Sequence, residues 1–288
     1  MSEIIVRRVQ ELARAARMLA VVGAWLKLRH EDRISSVVRE QIDLGTAIAL
    51  GQSVSDLTDE DVPSMLIAIE MALGEARDLL RNPAHSAGWA IDDTDLLETM
   101  GRASSSAFSR ILALAEDRPA LRDALTGTFL DIGTGVAGIA LKAAETCPGL
   151  RIEAIDVWKP ALAIAERNIA ASQHAARIRL ADLDVVALEP VPRFTLVWLP
   201  TMFMARPVLE QAVSRVAAAS RPGAWLVAPV YTRPEDPFAM AMTTLRTLRG
   251  GGEVQEPSEI EALMRAHGYV DIETDVAPLA AFLLGRLP

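Results

Sequence analysis

The residues best suited to chemistry lie just before the middle of the chain. Phe129-Leu130-Asp131-Ile132-Gly133-Thr134-Gly135-Val136-Ala137-Gly138 contains the spacing Gly-x-Gly-x-x-Gly. Glycines at this spacing let the backbone turn sharply and let a ligand lie against the main chain. The N–H groups of the helix that follows would then face that ligand. A second acid, Asp156, closes Arg151-Ile152-Glu153-Ala154-Ile155-Asp156, about twenty residues on. At the end of the next strand, its carboxylate could accept hydrogen bonds from both hydroxyls of a ribose.

Two ligand classes satisfy this pattern: a nicotinamide or flavin dinucleotide, and S-adenosylmethionine. Asp131 separates them. An acid two residues before the first glycine would repel a pyrophosphate, whereas a sulfonium and an ammonium would welcome it. A paired C-terminal strand pattern and the late position of the glycine motif point the same way.

On these residues, 128–288 resemble a class I S-adenosylmethionine-dependent methyltransferase of the small-molecule type. Phe129–Gly138 is similar to that family's first motif and Arg151–Asp156 to its second-strand motif. Leu180-Ala181-Asp182-Leu183 is similar to the segment after the third strand, and Phe194–Pro200 to the fourth-strand motif beside the methyl donor. The resemblance implies S-adenosyl-L-methionine as cofactor and S-adenosyl-L-homocysteine as product. It places Asp131, Gly133, Thr134 and Gly135 around the methionine part, and Asp156 with Val157 at the ribose. Asp182 and Leu183 fall at the adenine, and Leu199 beside the donor. Asp184 lies in the same loop as Asp182 and is an alternative to it.

The acceptor is less legible. Trp198-Leu199-Pro200-Thr201-Met202-Phe203-Met204 departs from the Asn/Asp-Pro-Pro-Tyr/Phe of enzymes that methylate amino groups on nucleic-acid bases or glutamine. Its apolar character suits a greasy small-molecule pocket. Trp89, Trp198, Met202 and Tyr231 are candidate substrate contacts, with Gly88, Gly101 to Ser104, Thr232, Arg233 and Asp236 nearby in sequence. His85 is a weak candidate for a general base, and a mechanism relying on proximity alone is equally open. The expected reaction is methyl transfer to a metabolite hydroxyl. Alternatives are an NAD(P)-dependent oxidoreductase, a protein or RNA methyltransferase, and a non-catalytic S-adenosylmethionine-binding protein.

Composition narrows the field. A net charge of −9 with no Lys/Arg cluster argues against a nucleic-acid partner. One cysteine, Cys147, and four scattered histidines leave no pattern for a thiolate or imidazole metal site, so none is expected. The apolar run Met18–Leu28 is interrupted by Lys27 and is too short for a bilayer span. With no leader pattern, the expected location is the cytoplasm, with no membrane partner.

The elements that must position these residues fall into two stretches. Residues 1–126 read as an all-helical lobe, a substrate cap and/or a route to a homodimer, with helices at Ile4–Leu28, at Met65–Leu80, from Asp93 towards Ser104–Ser106, and near Gly127. Residues 127–288 read as a Rossmann-like α/β domain. Strands are expected at Thr128–Ile132, Arg151–Ile155, Arg177–Leu180, Phe194–Leu199 and Ala224–Ala228. Helices are expected at Val136–Thr146, Pro160–Ser172, Pro207–Ser220 and Ser258–His267, with Arg221-Pro222-Gly223 as a turn. Alternation of this kind gives a mostly parallel sheet. Val270–Val276 and Ala281–Leu287, joined near Pro278, are too close for a crossover and must pair antiparallel.

Overall fold

The computed structural model describes residues 2–31, 33–51, 57–85, 88–277 and 280–288. By packing, the chain divides into two compact units, 1–83 and 84–288.

The first unit consists of α1 (Ser2–Lys27), α2 (Ser36–Leu50) and α3 (Val62–Arg81). Its core is Val22, Leu26 and Ile69, joined by Leu19, Trp25, Met65, Leu66 and Leu73. Small residues set the helix spacing: a Cβ on Gly23 would sit 3.1 Å from Ile69, and one on Gly45 would sit 3.2 Å from Val21. α2 ends at Gly51, whose φ of 67° favours glycine. The N-terminal half of α1 leaves Ile5, Val9 and Leu12 exposed.

The second unit opens with α4 (Thr94–Glu116) and α5 (Pro119–Ala124). α4 packs on the first helix of the α/β region, so the packing boundary falls at 83/84 rather than at the compositional change near 126. α4 also runs straight through Ser104–Ser106, where the sequence suggested an end. Each serine hydroxyl donates to the carbonyl three residues back, at 2.7–2.9 Å, and so is satisfied inside the helix.

The remaining elements are β1 (Thr128–Ile132), α6 (Gly138–Thr146), β2 (Arg151–Asp156), α7 (Lys159–Ala171), β3 (Ile178–Asp182), β4 (Phe194–Trp198), α8 (Arg206–Ala219), β5 (Ser220–Tyr231), α9 (Pro237–Arg249), α10 (Pro257–Ala266), β6 (Val270–Val276) and β7 (Ala280–Arg286). The strands form one sheet in the order β3-β2-β1-β4-β5-β7-β6. The first five are parallel, and β7 runs antiparallel to β5 and β6. The expected α/β architecture and terminal hairpin are thus both present; the hairpin residue Pro278 lies outside the described residues.

Both faces of the sheet are covered. Phe129, Leu196 and Trp225 join Phe108, Ile111, Ala140 and Ala143 on one side. Leu130, Val197 and Leu226 join Leu209, Val213 and Ile260 on the other. This two-sided burial explains the near-continuous apolar runs of the central strands.

Three local readings need correction. Arg221-Pro222-Gly223 does not turn the chain but bulges within β5, where pairing with β4 jumps from Phe194↔Ser220 to Leu196↔Trp225. α6 begins at Gly138 rather than Val136, because Ala137 takes a left-handed φ of 69°. The stretch after Tyr231, read as a loop, contains α9. Its N-cap is Asp236, whose side chain accepts from the Ala239 N–H at 2.7 Å and so starts the helix.

Candidate functional site

The site forms where β1, β2 and β3 end and their chains turn into helices or loops, the side on which open α/β sheets bind ligands. Gly133 and Gly135 both have positive φ, 65° and 57°. A Cβ on Gly135 would meet no atom within 4 Å, so the loop leaves open space above it. A Cβ on Gly138, by contrast, would lie 2.1 Å from the Gly101 carbonyl oxygen. The first two glycines shape the loop; the third lets α6 press against α4.

Asp131 is fully buried at the end of β1. Its Oδ2 accepts from the Thr134 hydroxyl at 2.7 Å, while Oδ1 has no partner. Burial pushes its pKa up to about 7; the Thr134 hydroxyl and, at looser geometry, the Ala140 N–H oppose this, and the nearby Asp156 charge adds to it. Asp156 ends β2. Its Oδ2 accepts from the Gly135 N–H at 2.7 Å, and its Oδ1 from the Val157 and Trp158 N–H groups at 2.7 and 2.8 Å. Burial raises its pKa, against the pull of these three donors. The carboxylate therefore ties the glycine loop to the β2 end.

Asp182 stands in register with Asp156 on the neighbouring strand, half-exposed, with the Lys159 ammonium 3.9 Å away. The Leu183 N–H donates to the Asp156 carbonyl at 3.0 Å. Asp184 instead accepts from the Val186 N–H and caps a short 3-10 turn. Val157 is 58% exposed beside the half-buried Asp156. These residues converge on one edge of the sheet, with Thr134 buried beneath them. Leu199 does not join them through its side chain, which is buried among Leu209 and Val213; its N–H bonds the Val227 carbonyl at 3.0 Å.

The candidate acceptor residues separate. Trp198 lies in the core, 6% exposed, its ring centre 5.7 Å from that of Phe282. The other three gather around Phe203, which the sequence reading had not singled out. Trp89 meets it edge-on at 5.2 Å and Tyr231 at 6.0 Å, while Met202 and Tyr231 line a small recess of about 20 Å³. Thr201 fixes this corner by donating to the Pro229 carbonyl at 2.5 Å. The run Gly250-Gly251-Gly252 was a usable sequence signal that was missed: a Cβ at 250 would lie 2.9 Å from the Phe203 ring, and one at 252 would lie 2.2 Å from the Met202 carbonyl oxygen.

His85 has its Nε2 2.7 Å from the Gly88 carbonyl oxygen, so Nε2 donates there and Nδ1 is left outside that bond. Arg233 pairs with Glu256, and Arg102 donates to Thr99. Among the described residues, no group of three or more His, Cys, Asp or Glu could hold a metal ion.

Comparison with known proteins matches residues 129–223 to the family model described as a methyltransferase domain. A curated relative, the tRNA1(Val) (adenine(37)-N6)-methyltransferase of Vibrio campbellii, is 40% identical over 66 residues, 23% of this chain and 28% of its own length. Among solved structures, an O-methyltransferase family protein from Burkholderia thailandensis has a TM-score of 0.66 at 13% identity, covering 98% of both chains. Human N-acetylserotonin methyltransferase has 0.64 at 13%, covering 98% and 97%. The mitomycin 7-O-methyltransferase MmcR has 0.63 at 16%, covering 99% and 97%. At these identities the structural likeness establishes the fold. Among the described residues, no helix is long and apolar enough to cross a membrane.

Proposed function

We propose that this chain, whose residues 129–223 match a methyltransferase-domain model, binds S-adenosyl-L-methionine at the β1–β3 edge and transfers its methyl group to a small-molecule hydroxyl. The observation that carries the reading is Asp131: a buried carboxylate with an unpartnered oxygen beside the glycine loop suits a cationic ligand and disfavours a pyrophosphate. The open space over Gly135 fits the same ligand.

In this reading the bound cofactor supplies a methyl carbon already activated by its sulfonium. Asp131 meets the ammonium end, Asp156 accepts from one ribose hydroxyl with its remaining lone pair, and Asp182 with Leu183 frames the adenine. Trp89, Phe203, Met202 and Tyr231 exclude water and orient the acceptor. Alignment of this kind is worth up to ~7–11 kcal/mol in ideal cases. His85 Nδ1 is the candidate acceptor of a hydroxyl proton.

The 66-residue likeness to a tRNA methyltransferase keeps a nucleic-acid acceptor as the second reading. The net charge of −9 and the Leu199-Pro200-Thr201-Met202 sequence favour a small molecule. The test is methyl-labelled S-adenosylmethionine offered with a metabolite extract, with tRNA and with protein in parallel. Label in the small-molecule fraction supports the proposal; label in tRNA or protein replaces it.

We further propose a cytoplasmic protein whose helical N-terminal region, bounded by packing at 83/84 and not at 126, joins a second copy. The exposed Ile5, Val9 and Leu12 of α1 support the pairing. Sedimentation of wild type and a Val9→Glu/Leu12→Glu variant tests it: a dimer that the variant dissociates supports the pairing, and a monomeric wild type contradicts it.

A further inference from the structure

The segment 88–93 is held at both ends by groups of the candidate site. At one end the Gly88 N–H donates to the Arg249 carbonyl at 3.3 Å, and a Cβ on Gly251 would lie 3.1 Å from Gly88 Cα. Trp89 then leans on Phe203. At the other end the indole N–H of Trp158 donates to the Ile91 carbonyl at 2.7 Å, across 67 residues of sequence. Asp93 finally caps α4 through the Leu96 N–H.

Trp158 is also bound to the cofactor side. Its backbone N–H donates to Asp156 Oδ1 at 2.8 Å, and its carbonyl receives the first main-chain bond of α7. Its ring packs with Ile91 against Leu97, Val136, Ala161 and Ile164, and Val136 belongs to the glycine loop. One residue thus touches the carboxylate assigned to the ribose, the loop assigned to the methionine part, and the segment carrying an acceptor-wall tryptophan.

We infer that Trp158 is a positioning residue that couples the Asp156 carboxylate to segment 88–93, so that filling the cofactor site organises the acceptor wall at Trp89. The inference rests on the proposed cofactor reading for the ligand and on the hydrogen bond to Ile91 for the tether. It implies ordered addition: the cofactor enters first, and the acceptor meets a wall the cofactor has completed. Removing the indole N–H breaks the tether but leaves the backbone bond to Asp156, so cofactor affinity and acceptor-wall order separate.

Hydrogen exchange on the full chain, wild type and Trp158→Phe, without ligand and with S-adenosylhomocysteine as probe, tests both parts. Without ligand, the variant should exchange about five-fold faster at 88–93, the opening expected from one lost hydrogen bond, with peptides over β3 unchanged. With the probe, wild type should gain protection at 88–93; the variant should bind within about three-fold of wild-type affinity, the bond to Asp156 being intact, but show no such gain. Equal exchange at 88–93 in the two ligand-free proteins overturns the tether. Wild-type binding without added protection at 88–93 overturns the coupling, and that arm stands even if the variant does not fold. Failure of wild type to bind the probe overturns the cofactor reading and the coupling together, while the ligand-free arm still judges the tether.

Discussion

Replacing Asp131 by Asn should make the protein more stable and its ligand site worse, and the stability gain should grow with pH. Asp131 is fully buried, and its pKa is pushed from 3.8 to about 7. Between those values the folded state holds a proton that the unfolded chain has released, so the group erodes stability as pH rises through the window. At pH 5 the erosion is about 1.7 kcal/mol and at pH 8 about 4 kcal/mol, taking 1.36 kcal/mol per pKa unit. Asn cannot ionise and can still accept from Thr134. Its advantage over wild type should therefore widen by about 2.5 kcal/mol from pH 5 to pH 8, as read by urea unfolding. The same variant should bind S-adenosylhomocysteine at least ~10-fold more weakly, because a charge-assisted partner for the ammonium is gone. A stability difference that is flat or shrinks with pH would refute the desolvation argument. Unchanged ligand affinity would refute the role given to the unpartnered oxygen.

Other outcomes follow from the same geometry. Asp156→Ala removes an acceptor from three backbone N–H groups; it should cost at least ~2 kcal/mol in urea unfolding as well as ligand binding. Gly138→Ala would place a methyl 2.1 Å from the Gly101 carbonyl oxygen; separating α4 from α6 should cost ~1–3 kcal/mol, checked by thermal unfolding. Trp198→Ala empties a core position beside Phe282; it should cost ~3–5 kcal/mol in the same assay, whereas a Trp198 that only contacts substrate would leave stability nearly unchanged.

The geometry of the proposed cofactor half was legible in the sequence because it is built from local segments. A strand, a glycine loop and an acid at the next strand end form one contiguous βαβ unit; Asp156 and Asp182 fall in register at the strand ends, and Asp131 lies opposite Ala154, two residues short of Asp156. The acceptor half was not, because it is assembled from distant pieces. Phe203 draws Trp89 and Tyr231 to itself, and the glycines at 250–252 matter through what they touch. Trp198 illustrates the limit: it sits in the motif that seemed to face the methyl donor, yet alternation along β4 turns its ring into the core beside Phe282. Asp236 illustrates another, since an acid before a proline in an assumed loop is also a helix start.

The central claim is that the glycine loop and Asp156 hold S-adenosylmethionine and not a dinucleotide. Calorimetric titration of the wild-type chain with S-adenosylmethionine, S-adenosylhomocysteine and NADH, repeated on Asp156→Ala, tests it directly. The account predicts saturable binding of the two sulfur ligands, none of NADH, and loss of binding in the variant. Tight binding of NADH, or no binding of either sulfur ligand by wild type, would contradict it.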